Sequence, residues 1–227
     1  MEELVGRQAF AERRFHGAWT PSRFDVTRAT RMRELLARDA AGRLLDVGCY
    51  DGQLIVQVAP AGAWIVGVDI SLGALRQAQA RGVHGVRAQV ESALPFADAS
   101  FSTIVAAEMI EHVFDTEAFL AELRRVLVPN GRLLLTTPNL VALSGRAKLL
   151  VGKSPQNVEF DASPGTSGHI RYFTFDTLEL LLRRVGLEPI GRWTNVVHFS
   201  VFGSSEFVGR LRPSLGHTLI SVAVRRD

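Results

Sequence analysis

The sequence has no apolar run of about 18 residues, so no segment is expected to span a membrane. It has a single cysteine, Cys49, which excludes an intramolecular disulfide and argues for a reducing compartment. Blocks of like charge are missing as well. The formal charge is +3, and the pI of about 9.6 reflects an Arg-rich balance rather than a basic tract, so no nucleic-acid arm is expected. The opening stretch MEELVGRQAF carries early acids and no long apolar core, and no signal peptide is expected. What remains is a chain of 227 residues, 47% hydrophobic and 22% charged, a balance that excludes whole-chain disorder. The expectation is a soluble, cytoplasmic protein of one large domain or one domain with an appendage.

The most informative stretch is residues 44–54, LLDVGCYDGQL. A short apolar run ends at Gly48, Gly52 follows, and Leu54, Ile55, Val56 and Val58 continue as a helix pattern: strand, glycine turn, helix. Glycine permits φ > 0 and lets a ligand approach the backbone where no Cβ stands. Asp46 falls at the carboxyl end of the strand, where open α/β sheets bind ligands. The spacing matches neither G-x-G-x-x-G nor G-x-x-x-x-G-K-[ST]. Asp46 and Asp51 make the turn acidic, which suits a cation better than a pyrophosphate.

Strands are expected at 43–47, 64–69, 83–87, 101–107 and 132–136, and helices at 51–59, 72–81 and 116–127, with Ser71 as an N-cap and Pro129-Asn130-Gly131 as a turn. This alternation predicts a doubly wound, mostly parallel sheet with helices on both faces. Residues 1–43 read as a helical accessory segment (helices at 2–15 and 27–41), with Arg28, Arg31, Arg33 and Arg38 as a solvated face and 15–24 as a candidate lid. Residues 138–173 read as a substrate-side insertion, with a helix at 140–150 and a Ser/Pro/Gly/Asn-rich connection at 153–168. That helix is read as a lid or core element, with membrane docking as the alternative. A helix at 174–185 capped by Thr174 and strands at 189–194 and 218–224 complete the chain.

Four collinear stretches make the chain resemble the class I S-adenosylmethionine-dependent methyltransferases, in particular their small-molecule group. LLDVGCYDG resembles the first motif, GVDIS (67–71) the second, SALPFADASFSTIVAAEMIEHV (92–113) the LPF-x-D-x-SFD and E-x-x-EH stretch, and LRRVLVPNGRLLLTTPN (123–139) the RVLKPGG-x-LLLTTPN stretch. GHIRYFT (168–174) extends the match. The resemblance implies a Rossmann-like seven-stranded sheet with an antiparallel last strand and S-adenosylmethionine over the first two strands. It implies Asp46, Gly48, Cys49 and Gly52 around the methionine moiety, Asp69 on both ribose hydroxyls, Ile70 on the adenine face and Glu108 nearest the cofactor. The family's usual acid after strand three is absent, leaving Gln89, Val90 or Glu91 for the adenine amine. Ser102 replaces the usual Asp, and Asn130-Gly131 the usual Gly-Gly.

The implied reaction is in-line methyl transfer to a small-molecule acceptor, with a hydroxyl of a sugar, glycan or secondary metabolite as the leading choice. A hydroxyl acceptor requires a base, for which His169, His112 and Glu111 are candidates. Arg171 and Tyr172 are candidates for holding the acceptor. No resident metal is expected, although Glu108, Glu111 and His112 form a ligand-like E-x-x-E-H set that would suit a metal-assisted enzyme for a catechol or lipid-like acceptor. A cofactor-binding subunit without catalysis and a nicotinamide-dependent oxidoreductase are the competing classes. A homodimer is the one protein partnership the reading allows for.

Overall fold

The computed structural model describes residues 21–39, 42–159, 168–199 and 203–226. The expected helix at 2–15, most of the candidate lid and residues 160–167 of the long connection lie outside the described residues. Five strands form the parallel part of one sheet: β1 (Arg43–Val47), β2 (Trp64–Asp69), β3 (His84–Arg87), β4 (Phe101–Ala107) and β5 (Leu127–Pro138). β6 (Leu187–Trp193) and β9 (Thr218–Arg225) complete seven strands in the order β3-β2-β1-β4-β5-β9-β6, with β9 antiparallel to both neighbours. β7 (Val197–Phe199) and β8 (Gly203–Ser205) pair separately.

Alternation along the strands sends side chains to two cores. Leu45, Val47, Ile104 and Leu133 face α4 (Thr116–Val126) and α6 (Phe175–Arg184), which bury Phe119, Leu123, Leu178 and Leu182. Leu44, Val105 and Leu134 face α1 (Arg23–Leu36), α2 (Gln53–Val58) and α3 (Leu72–Ala80) through Met32, Ile55 and Leu75. Both faces are covered, as parallel strands require. Ser71 caps α3 by accepting from Ala74 N, and Thr174 caps α6.

Three elements differ from expectation. α1 begins four residues early, because Ser22 and Asp25 form a reciprocal capping box. The expected turn at Pro129-Asn130-Gly131 lies inside β5. A register shift against β4 absorbs it, with Asn130 at φ +60°. Residues 195–217, unassigned from sequence, hold β7, β8, and α7 (Glu206–Leu211). α5 (Leu143–Leu150) follows β5. Among the described residues no helix is long and apolar enough to cross a membrane.

Candidate functional site

The site forms where the parallel strands end. Gly48 and Gly52 both sit at φ +74°, and Tyr50 between them at φ +48°. Packing also demands glycine here: a Cβ on Gly48 would lie 2.6 Å from Met109 Sδ, and one on Gly52 3.1 Å from Ala78 and Val83. Gly48 N and Cys49 N donate to Val68 O at 2.8 and 3.0 Å, which lays the turn against β2. Cys49 turns inward, its Sγ filling the space a Cβ on Gly67 would need. Burial, then Asp46 and Asp69, push its thiol pKa up.

Asp46 is buried, and its pKa is raised to about 7 by that burial and, secondarily, by Asp69. Asp69 ends β2 with Oδ2 accepting from Tyr50 N and Oδ1 from Ser71 N, each at 2.9 Å. Two backbone donors thus fix the carboxylate's direction. Asp51, expected to add to the turn's acidity, is neutralised instead. It accepts from Gln53 N at 3.0 Å and pairs with Arg81 at 3.2 Å. The acidic pair at this crevice is therefore Asp46 and Asp69. On the β3 side Ile70, Gln89 and Val90 are half-buried. Glu91 accepts from Phe114 N at 2.6 Å, which commits one carboxylate oxygen to the backbone.

A cavity of about 610 Å³ adjoins this crevice at the carboxyl ends of β4 and β5. Glu108 and Met109 join the two: Met109 packs on Gly48, and Glu108 lines the cavity. Glu108 holds a left-handed backbone at φ +52°. Its N–H donates to Thr136 O at 2.9 Å, and Thr136 Oγ1 donates to its Oε1 at 2.8 Å. Such a conformation in a non-glycine residue is costly and concentrates at functional sites. Arg28 Nη1 meets Glu108 Oε2 at 3.2 Å, and Arg28 Nη2 meets Asp25 at 2.9 Å. With 11% of its side chain exposed, Arg28 leaves the solvated face expected for it and becomes part of the cavity wall.

The 3-10 turn Ile110–His112 supplies the next part of the wall. Glu111 is 1% exposed; its Oε2 accepts from Thr137 Oγ1 at 2.9 Å, and its Oε1 is buried with no hydrogen-bond partner. Burial, then the Glu108 carboxylate, push its pKa well above the usual carboxylate range. Glu111 O accepts from Ile170 N at 2.9 Å and Arg171 N at 3.1 Å, clamping residues 168–171 to the turn. The His112 and His169 rings consequently stand 5.0 Å apart. His112 Nδ1 lies 3.0 Å from Gly168 O, and His169 Nδ1 3.3 Å from Asn157 O. Carbonyl oxygens only accept, so at each ring Nδ1 is the donor to the backbone.

Arg171 and Tyr172 do not line the cavity. Arg171 donates to Phe114 O at 2.8 Å with its guanidinium over the Phe114 ring. The Tyr172 hydroxyl accepts from Glu159 N at 3.0 Å and lies 3.3 Å from His169 O, so it braces the segment that carries His169. Sequence reasoning missed His198 and His217, which line the cavity together with Phe24, the last residue of the candidate lid, and Lys148, on the candidate lid helix. Phe24 stacks on His217 with centroids 4.6 Å apart and meets His198 edge-on at 5.8 Å. Burial lowers the His217 pKa, which keeps that ring neutral. No local pattern marks the two histidines: antiparallel β9 delivers His217 by pairing Thr218 with Pro138, and β7 delivers His198.

Residues 22–190 match the family model described as "Methyltransferase domain". The chain belongs to this family, as a class I S-adenosylmethionine-dependent methyltransferase domain. It is 30% identical to 27-O-demethylrifamycin SV methyltransferase of Amycolatopsis mediterranei over 80% of this chain and 69% of that one. It is 32% identical to the ubiquinone biosynthesis O-methyltransferase of Dinoroseobacter shibae over 66% of this chain and 61% of that one. The matches thus span about two thirds of these relatives' lengths. In fold it is similar to a Thermotoga maritima S-adenosylmethionine-dependent methyltransferase, a possible histamine N-methyltransferase, with TM-score 0.66, 19% identity and full coverage of both chains. It is also similar to the [4+2]-cyclase SpnF, with TM-score 0.63, 18% identity and coverage of 99% and 92%. Fold likeness that reaches a cyclase fixes no reaction, so the chemistry must be argued from the site.

Proposed function

We propose that this chain transfers a methyl group from S-adenosylmethionine to a hydroxyl oxygen of a polar small molecule, such as a sugar, a glycan or a hydroxylated secondary metabolite. One observation carries the reading: a 610 Å³ cavity walled largely by polar and ionisable side chains meets the glycine turn at Glu108 and Met109. Among the described residues, Phe24 is the one aromatic carbocycle lining it, and this described wall favours a polar acceptor over a flat aromatic or lipid-like one. The two relatives named above are O-methyltransferases by name or by the position they methylate, in line with an oxygen acceptor.

The crevice residues fit the cofactor. Asp46 and Asp69 repel each other, and a sulfonium or ammonium cation relieves that repulsion where a pyrophosphate would add to it. Asp69, directed by Tyr50 N and Ser71 N, is the acceptor for the ribose diol. Cys49 and Gly48 contribute backbone, Ile70 an apolar face, and Gln89 and Val90 the adenine edge. When bound, S-adenosylmethionine supplies an electrophilic methyl on a positively charged sulfur. The protein's part is alignment and exclusion of water, since charge disperses as the methyl moves. The proton on the acceptor hydroxyl leaves toward the wall made by Glu111, His112 and His169, where His169 is held by its Nδ1 at Asn157 O and its Nε2 is the candidate acceptor.

The test is methyl transfer from S-adenosylmethionine carrying a deuterated methyl group, read by mass spectrometry across acceptors with sugar hydroxyls, catechols, quinols, amines and thiols. Label on oxygen in a polar acceptor is the expected result. Transfer confined to nitrogen or sulfur, or tight cofactor binding with no transfer to any acceptor, would overturn the reading.

A further inference from the structure

The cavity wall is divided by what its polar groups already hold. Beside β4 the charged side chains are committed to one another: Arg28 spans Asp25 and Glu108, and Thr136 engages the other oxygen of Glu108. The part built by α5 and the connection after it is different. Among the described residues no hydrogen bond or ion pair engages the side chains of Ser144, Lys148, Gln156 or Asn157, all of which line the cavity. We propose that this part of the wall binds an anionic oxygen group of the acceptor, a carboxylate or a phosphate, with the Lys148 ammonium as its counter-charge and the hydroxyl and two amides as hydrogen-bond donors.

Packing assembles the four side chains. Ser144 and Lys148 stand four residues apart and share one face of α5. Gly145 lets the connection come close to that helix: a Cβ there would lie 3.2 Å from Leu140 O and 3.4 Å from Pro155 Cβ. Pro155 is buried at this contact, which brings Gln156 and Asn157 to the same cavity. Lys148 is half-buried, where a charge is screened less than in open solvent and gains more from an opposite one. Arg146, the other cation of α5, is engaged by backbone, with Nε donating to Val141 O at 2.6 Å and Nη2 to Ser214 O at 3.4 Å.

The competing cations are taken. Arg28 is paired twice, and Arg171 donates to Phe114 O outside the cavity. The acids of the wall oppose an anion less than their number suggests. Arg28 neutralises Asp25 and Glu108 in part, and the burial of Glu111 favours its uncharged carboxyl. Asn157 also joins this region to the candidate base, since its carbonyl oxygen lies 3.3 Å from His169 Nδ1. An anionic group anchored at Lys148 therefore brings the rest of the acceptor beside His169. Naming the acceptor as a hydroxylated acid, such as a uronic acid, a hydroxy acid or a sugar phosphate, rests on the methyl-transfer reading above; the binding of the anion does not.

The experiment measures binding of glucuronate, glucose 6-phosphate and glucose to the full chain by ligand-observed nuclear magnetic resonance. At least one of the two anions should bind about tenfold or more tighter than glucose, and comparing them separates a carboxylate from a phosphate as the group held. Lys148→Gln should bring that preference to within about threefold, and Lys148→Glu should reverse it. Lys153→Gln, which removes an exposed charge outside the cavity, should leave it intact. Circular dichroism and S-adenosylhomocysteine affinity, unaltered in these variants, separate loss of the site from loss of the fold. Anions bound no better than glucose by the wild-type chain, or a preference that survives in Lys148→Gln, would overturn the proposal. Methyl transfer to glucose and glucuronate at equal rates in wild type and Lys148→Gln would remove the anion site and leave the methyl-transfer reading standing. Lys148-dependent anion binding without methyl transfer to any acceptor would do the reverse.

Discussion

Replacing Asp69 by Asn tests the cofactor crevice with almost no change in volume. In the wild-type chain both carboxylate oxygens accept backbone hydrogens, one from Tyr50 and one from Ser71. An amide has one acceptor oxygen, so its NH₂ must face one of those two donors. Losing that single hydrogen bond costs about 1 kcal/mol of stability, a fall of roughly 2–4 °C in Tm for a chain of this size. Removing the repulsion on Asp46 offsets part of that fall. Cofactor binding should suffer more. Two hydroxyl-to-carboxylate hydrogen bonds at about 1.5 kcal/mol each amount to about 3 kcal/mol, or roughly 100-fold in Kd. Calorimetric titration with S-adenosylmethionine and S-adenosylhomocysteine reads this directly. Both ligands carry the ribose, so both should weaken alike. An affinity within threefold of wild type, in a variant that melts within a few degrees of it, would show that Asp69 does not hold the diol.

Asp46 should make stability depend on pH. With its pKa raised from 3.8 to about 7 in the folded chain, the native state binds more protons than the unfolded state between those values. Its contribution therefore falls as pH rises through that window, by up to about 4 kcal/mol; urea midpoints at pH 5 and pH 8 should differ less in Asp46→Asn than in wild type, and an identical difference would refute the assignment. His169→Ala should lower turnover about 10²-fold while S-adenosylmethionine affinity holds, and unchanged turnover would return His169 to a structural role. Gly52→Ala forces a side chain into φ +74° and against Ala78 and Val83, so a loss of about 2 kcal/mol is expected in urea denaturation. A wild-type midpoint would show that the turn relaxes at little cost.

The sheet was legible because its strands are short apolar runs stopped by glycine, acid or turn residues. β1, β2 and β4 begin and end where those runs do, and Ser71 and Thr174 cap the helices that follow the usual preference. The two misreadings have different causes. Pro129-Asn130-Gly131 carries every local signal of a turn, yet pairing of Leu127 with Phe101 holds the segment in the sheet, so long-range pairing overrides local propensity. α1 starts at Arg23 because Asp25 reaches back to the Ser22 backbone, a local S-x-x-D capping signal that the expected start at residue 27 passes over.

The two halves of the site differ in legibility for a topological reason. The cofactor crevice is built from residues a few positions apart in one βα turn and from the ends of adjacent strands, so its acids and glycines fall into recognisable strings. The acceptor cavity has no such string. Arg28 reaches it from α1, Lys148 from α5, His198 from β7 and His217 from the residue before β9, segments far apart along the chain. Their convergence follows from one feature of the sheet: β9 runs antiparallel, which returns its first residues to the carboxyl end of β5 and closes a wall that a parallel strand would leave open. Even within GHIRYFT, three polar side chains invite one reading, and only the clamp at Glu111 O separates His169, which enters the cavity, from Arg171, which goes to Phe114. On the methyl-transfer reading, selectivity for the acceptor would reside in contacts between distant segments. Substitutions at Arg28, Lys148, His198 or His217 are then expected to change which molecule is methylated while leaving cofactor affinity in place.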